Sequence, residues 1–184
     1  TTDFRRSVTY FHGPQGEEIA DYTKNYKEGS TTLRSISVNF YEGDKRAKAE
    51  EVSADSKLVK TVNFSKDFYL NIDTVNITTK QYRRSTTHFT GDQGDEIADY
   101  TVNYKEGYDT IRSTSCNFYL VNLRASDQNV TPETALIKTV NYRGYKDPTK
   151  VTDGITVDID HGIDNLADRT SITYFHGDQG EEIA

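Results

Sequence analysis

Residues 6–41 read RSVTYFHGPQGEEIADYTKNYKEGSTTLRSISVNFY, and residues 84–119 read RSTTHFTGDQGDEIADYTVNYKEGYDTIRSTSCNFY. The two stretches align without a gap, 78 positions apart, and the same offset carries LVKTVNF (58–64) onto LIKTVNY (136–142). A third copy opens at Arg169, 85 positions after Arg84, and runs RTSITYFHGDQGEEIA to Ala184. A period of roughly 80 residues is too long for a solenoid repeat and suits one small domain per copy. The expectation is therefore two tandem domains, residues 1–82 and 83–184, the second taking in the start of a third copy at 169–184. A tandem repeat has no marked beginning, so the physical domain can start anywhere in the period. The third-copy segment either donates a last strand to the second domain or opens a new one.

Within a copy the hydrophobic pattern is mostly of period two. Val8 and Tyr10 alternate as in a strand, and the GPQG of residues 13–16, repeated as GDQG at 91–94 and 177–180, supplies a hairpin turn. Residues 18–26 are ambiguous: Ile19, Tyr22 and Tyr26 fit helical spacing, yet Ala98, Tyr100, Val102 and Tyr104 alternate. The abundance of Tyr, Thr and Val decides for a strand. Ile36, Val38 and Phe40 mark a third strand, and Val62 and Phe64 a fourth, matched by Val140 and Tyr142. Between them lie DKRAKAEEV (44–52) and TPETAL (131–136), good helix formers behind an Asp or Thr able to cap a helix start. The predicted order is β-β-α-β-β, an α+β, β-rich architecture of two tandem β-grasp-like (ubiquitin-like) domains in an elongated arrangement. The alternative is a pair of all-β sandwich repeats.

The chain of 184 residues carries 13 Tyr and 8 Phe but no Trp or Met, and its formal charge is −7. An acidic chain is a poor partner for nucleic acid, which requires a basic face. No run approaches the eighteen or so apolar residues of a membrane-spanning helix, so no membrane insertion is expected. The single cysteine, Cys116, falls where the first copy has Val38 and reads as a small buried hydrophobe. An extracellular chain without disulfides has to rely on sheet packing, a usage that fits Gram-positive surface repeats.

Catalysis fails a repeat test. His12 becomes Thr90 and then His176, Tyr10 becomes His88, and His161 has no counterpart in the first copy. No recurrent Ser-His-Asp grouping, HExxH or CxxC appears, so no enzyme and no catalytic residue is expected. The carboxylate pairs Glu17-Glu18, Asp95-Glu96 and Glu181-Glu182 do recur, but neighbours on a strand point to opposite faces and read as solvated charge beside a turn.

Two patterns point to ligands. Tyr22, Tyr26, Tyr100 and Tyr104 lie in the most strictly repeated stretch, and an aromatic face with a polar tip suits sugar rings and protein partners. The competing reading makes them half-buried sheet residues. The acidic tail offers Asp158, Asp160 and Asp164 as oxygen ligands for Ca²⁺, the only cofactor the sequence suggests. Its bland counterpart is a hydrated acidic edge that discourages strand-to-strand aggregation.

The opening V-T-Y-x-x-G-x-x-G-E-E-I-A, from Val8 to Ala20 and again from Thr86 and Ile172, together with K-T-V-N-F/Y at 60–64 and 138–142, resembles the mucus-binding repeats (MucBP/MUB type) of Gram-positive cell-wall adhesins. That resemblance implies β-grasp-like domains on the bacterial cell surface, monomeric within an array, that bind mucin glycoproteins and their glycans. In some such repeats it also implies immunoglobulin binding. Weak binding per domain would gain avidity along the array. Since both the chain and many mucin glycans are anionic, capture is expected to rest on stacking and hydrogen bonds and to lose little as salt rises. An immunoglobulin-binding module and a passive stalk are the alternatives.

Overall fold

A computed structural model describes residues 6–65, 71–105, 109–120, 122–151 and 168–181. The strands are β1 (Ser7–His12), β2 (Ile19–Tyr26), β3 (Leu33–Tyr41), β4 (Leu58–Ser65), β5 (Arg83–Thr90), β6 (Ile97–Tyr104), β7 (Ile111–Tyr119), β8 (Leu136–Arg143) and β9 (Arg169–Tyr174). Their order in the sheet is their order in the chain, with no crossover. The chain divides into two compact units, Thr1–Thr86 with Tyr104–Asp109, and Thr87–Asn103 with Thr110–Ala184.

This architecture overturns the α+β expectation. A β-grasp domain needs a helix across one face and a crossover connection, whereas the described residues contain no α-helix, only 3-10 turns at Glu42–Asp44, Ile72–Thr74 and Pro148–Lys150. The protein is all-β. The sandwich alternative had the right class, but within each unit the described strands pair side by side as an antiparallel meander rather than as two packed sheets.

Residues 44–52 show why the helix fails. Gly43 and Asp44 both take positive φ, and the chain folds straight back so that Tyr41 and Lys45 exchange backbone hydrogen bonds of 2.7 and 3.2 Å. Beyond them Ala49 N bonds Arg46 O, Val52 N bonds Ala49 O and Ser56 N bonds Ser53 O, each at 3.0 Å, in a chain of separate turns. The second copy makes the same turns at Asp127, Val130 and Thr134 despite its different residues. Helix nucleation is costly in so short a segment, and helix-forming propensity amounts to tenths of a kcal/mol per residue. Burial of Ala47 and Arg46 against the sheet outweighs it.

The first unit is a four-stranded antiparallel meander joined by the start of β5. Tyr22 pairs with Val38 and Val38 with Val62, so their side chains share a face. Ile36, Val38, Phe40, Val62 and Phe64 form the core on that face, covered by the loop after β4, which adds Val75, Ile72 and Ile77. Each such side chain, fully buried, is worth about 1.5–3 kcal/mol. The second unit repeats the core with Cys116, Phe118, Val140, Tyr142 and Val151.

β9 resolves the place of the third-copy segment, for it pairs antiparallel with β8, Val140 opposite Ile172 and Asn141 opposite Ser171. Asn141 Nδ2 donates to Ser171 Oγ at 3.0 Å as Asn63 Nδ2 donates to Ser85 Oγ at 3.2 Å. The structural offset of the third copy is thus 86 residues, Ser85 to Ser171.

A second device recurs. In the β1–β2 pair, Tyr10 faces Tyr22 and Phe11 faces Ala20, leaving Asp21 as the extra residue of a bulge. Asn39 Nδ2 and Tyr41 Oη both donate to the Ala20 carbonyl, at 3.1 and 2.7 Å, and Asn117 and Tyr119 do the same to Ala98 at 3.0 and 2.6 Å. A bulge re-aims one side chain; here Asp21 turns to the covered face, where it meets Arg46.

Candidate functional site

The face opposite the core is polar and half-exposed, and nearly every side chain on it bonds to the next strand. In the first unit Thr9 and Thr23 hydroxyls lie 3.0 Å apart. Asn25 Nδ2 donates to Ser35 and Ser37 Oγ at 3.3 and 3.4 Å, Ser37 Oγ donates to Asn63 Oδ1 at 2.6 Å, and Asn63 continues to Ser85. Thr61 Oγ1 donates to Asn39 Oδ1 at 3.0 Å. The second unit repeats the lattice through Thr87 and Thr101, Asn103 with Ser113 and Ser115, Ser115 with Asn141, and Thr139 with Asn117. Strict alternation creates it: the residues between Ile36, Val38 and Phe40 are Ser37 and Asn39, and those flanking Val62 and Phe64 are Thr61 and Asn63.

At one end of this face in the first unit lies a depression of about 480 Å³ lined by Arg6, Asn25, Tyr26, Glu28, Arg34, Ser35, Asn63, Arg84 and Ser85. Among the described residues of the lining, three guanidiniums and one carboxylate sum to a formal charge of +2, in a chain of −7. Glu28 meets Arg6 at 3.3 Å with both side chains more than four-fifths exposed, a pair that adds little stability.

The four tyrosines proposed from sequence separate. Tyr26 lines the depression. Tyr22 lies on the core face, stacked on Tyr10 with ring centroids 4.5 Å apart, and burial raises its phenol pKa. Tyr100 stacks on His88 at 4.2 Å and packs against the second core; burial, with Tyr145 and Asp99 adding, pushes its phenol up to about 12. Tyr104 lies under the Arg83 guanidinium, 3.9 Å from its ring, and Asp109 holds that guanidinium by a 2.5 Å bond. The candidate calcium ligands Asp158, Asp160 and Asp164 lie outside the described residues. Among the described residues no three His, Cys, Asp or Glu side chains are grouped to hold a metal ion.

The recurrent carboxylate pairs serve the hairpin turn. Glu18 Oε2 accepts from Gly16 N at 2.9 Å, and Glu96 Oε2 from Gly94 N at 3.0 Å. Cys116 is fully buried and its thiol is pushed up to about 11 by burial, which makes it a poor nucleophile. No helix among the described residues is long and apolar enough to cross a membrane.

Sequence reading missed the polar lattice and the Arg-Asp pairs. Both had a signal in the 78-residue offset: Asn25, Ser35, Ser37, Asn39, Thr61 and Asn63 recur as Asn103, Ser113, Ser115, Asn117, Thr139 and Asn141, and Arg46-Ala47 recurs as Arg124-Ala125. Neither a protein-family model, nor a curated protein, nor a solved structure matches the chain.

Proposed function

We propose that this chain is an extracellular adhesive repeat of a bacterial surface protein, and that it binds mucin glycoproteins through their glycans on the polar face of the sheet. The observation that carries the reading is the Asn/Ser/Thr lattice, repeated residue for residue in both units while the loops over the core diverge. A core needs only the inward residues to recur. The outward ones recur as well, and each amide or hydroxyl keeps hydrogen-bonding capacity beyond its bond to the next strand. Strands about 4.8 Å apart and a rise near 3.3 Å per residue space these groups as a flat grid, a suitable partner for the hydroxyls of a sugar chain. Binding of this kind is non-covalent, and weak sites gain strength from repetition along an array.

The test is binding of the purified chain to immobilised mucin before and after enzymatic removal of the glycans, with the Asn25→Ala/Asn103→Ala variant alongside. Loss of binding on deglycosylation, and a drop of several-fold or more in the variant at unchanged folding, are the expected results. Binding that survives deglycosylation would overturn the glycan reading in favour of protein recognition, with immunoglobulin as the next partner. No binding to either surface would leave a spacer.

A further inference from the structure

We propose that the depression lined by Arg6, Arg34 and Arg84 is an oxyanion subsite, and that it selects sugars carrying a carboxylate or a sulfate over neutral ones. The inference rests on the glycan reading above and narrows its ligand class.

The lining has the chemistry of such a site. Guanidinium groups are planar, always charged, and match carboxylate or sulfate oxygens with paired N–H donors. Three arginines line the depression at one end of the polar lattice, together with the amide and hydroxyl residues Asn25, Asn63, Ser35 and Ser85. An acid group held by the arginines would therefore leave the rest of a sugar over hydrogen-bonding side chains, with Tyr26 also in the lining. The volume of about 480 Å³ lies within the range of small-molecule sites, about 300–1,000 Å³.

Glu28 supplies the discrimination. It is the single carboxylate among the described residues of the lining, and its exposed contact with Arg6 occupies charge that a ligand's acid group could take instead. An incoming oxyanion competes with Glu28, whereas a neutral sugar gains nothing from displacing it. The chain's overall charge of −7 makes the subsite a short-range selector, since long-range attraction works against an anion.

The second copy departs from the first at one position. Asn103, Arg112, Ser113, Asn141 and Ser171 stand for Asn25, Arg34, Ser35, Asn63 and Ser85, but Thr170, next to Ser171, stands where the first copy has Arg84. The subsite therefore belongs to one copy, and neighbouring copies of the array would differ in preference for charged sugars.

The experiment titrates the whole chain at constant ionic strength with lactose, sialyllactose, galactose 6-sulfate and sodium sulfate, followed by NMR with assigned arginine Nε resonances. The two acidic sugars separate a carboxylate from a sulfate as the preferred group. At least one should bind on the order of tenfold tighter than lactose, the scale of one added charge-assisted hydrogen bond. The Arg34→Gln/Arg84→Gln variant should lose that preference, so that acidic sugars bind it no tighter than lactose does. Glu28→Gln should strengthen acidic-sugar binding severalfold, a gain that a merely structural role for Glu28 would not produce.

Equal affinity for acidic and neutral sugars, or a preference that survives in the double variant, would overturn the proposal. If no sugar binds while sulfate still shifts the Arg34 and Arg84 resonances, the oxyanion subsite stands and the glycan reading falls. Silence from every probe sinks both.

Discussion

Arg46 donates from Nε and Nη2 to the two carboxylate oxygens of Asp21, each at 2.6 Å, and both side chains are almost wholly buried. The same guanidinium donates from Nη1 to the carbonyls of Ile72 and Val75 at 3.0 and 3.2 Å. One side chain thus fastens a strand bulge, the loop after β3 and the loop after β4. Arg124 repeats the arrangement with Asp99 at 3.0 Å and with the carbonyls of Pro148 and Val151 at 2.6 and 3.5 Å.

Removing one member of such a pair leaves an uncompensated buried charge. Arg46→Ala should cost about 3–5 kcal/mol, measured as a lowered urea midpoint. Arg46→Lys should recover little, since an ammonium cannot span both oxygens and the two carbonyls. Arg46→Met/Asp21→Leu should recover most of the loss, because it removes both buried charges together. Arg124→Ala should cost less, its pair being more open to water. Equal, small losses in both units would show that the clasp holds nothing.

The hairpin turn makes a sharper comparison between neighbouring glycines. At Gly13, φ is +124° and a Cβ would stand 2.6 Å from the Glu17 carbonyl oxygen; at Gly91 the same atom would stand 2.4 Å from that of Asp95. Gly16 has φ of +89° with open space around it. Gly13→Ala and Gly91→Ala should each destabilise their unit by about 1–3 kcal/mol, the cost of a strained backbone. Gly16→Ala should cost about 1 kcal/mol or less, since only its left-handed conformation is penalised. Thermal unfolding of the three variants orders them, and a Gly16 variant as damaged as the other two would refute the steric argument.

What was legible in the sequence follows from period. Ile36, Val38 and Phe40 alternate with Ser and Asn, so β3 and its copy could be read directly, and aromatic and β-branched content settled the ambiguous β2. The segment 44–52 could not be read from propensity, because its conformation is set by partners far along the chain: Asp21 lies 25 residues before Arg46, and Val75 lies 29 after it. The repeated tyrosines have different surroundings: Tyr22 and Tyr100 pack against the cores, as the half-buried reading expected, and Tyr26 lines the depression. Polar residues that recur on the outward face are a separate signal in the sequence, since no core requires them.

Burial of Tyr100 gives stability a pH dependence. Its phenol is raised from an ordinary 10.0 to about 12 in the folded chain. Below pH 10 both folded and unfolded chains hold the proton, and this residue adds no slope. Between pH 10 and 12 the unfolded chain ionises first, so stability falls as pH rises, and beyond 12 the loss levels off. Tyr100→Phe should flatten that part of the urea-midpoint profile. Phenolate absorbance of the folded protein should include a late-titrating component that Tyr100→Phe reduces, and its absence from the wild-type curve would contradict the burial.

Cys116 offers a probe of the second unit alone, because the equivalent residue of the first is Val38 and the chain has no other cysteine. The side chain is fully buried in β7, opposite Val140, and its thiol is pushed up to about 11. At pH 8 about one thiol in a thousand would be ionised even if reagent could reach it, and thiolate is the reactive form. Native protein should therefore react with a disulfide reagent orders of magnitude more slowly than denatured protein, at a rate set by opening of the sheet. Arg124→Ala, by loosening the clasp above that core, should speed the reaction, whereas Arg46→Ala acts on the core of the other unit. Cys116→Val restores the side chain of the first copy and should change stability by about 1 kcal/mol or less. Rapid labelling of fully folded protein would mean that β7 does not pack its inward face as described.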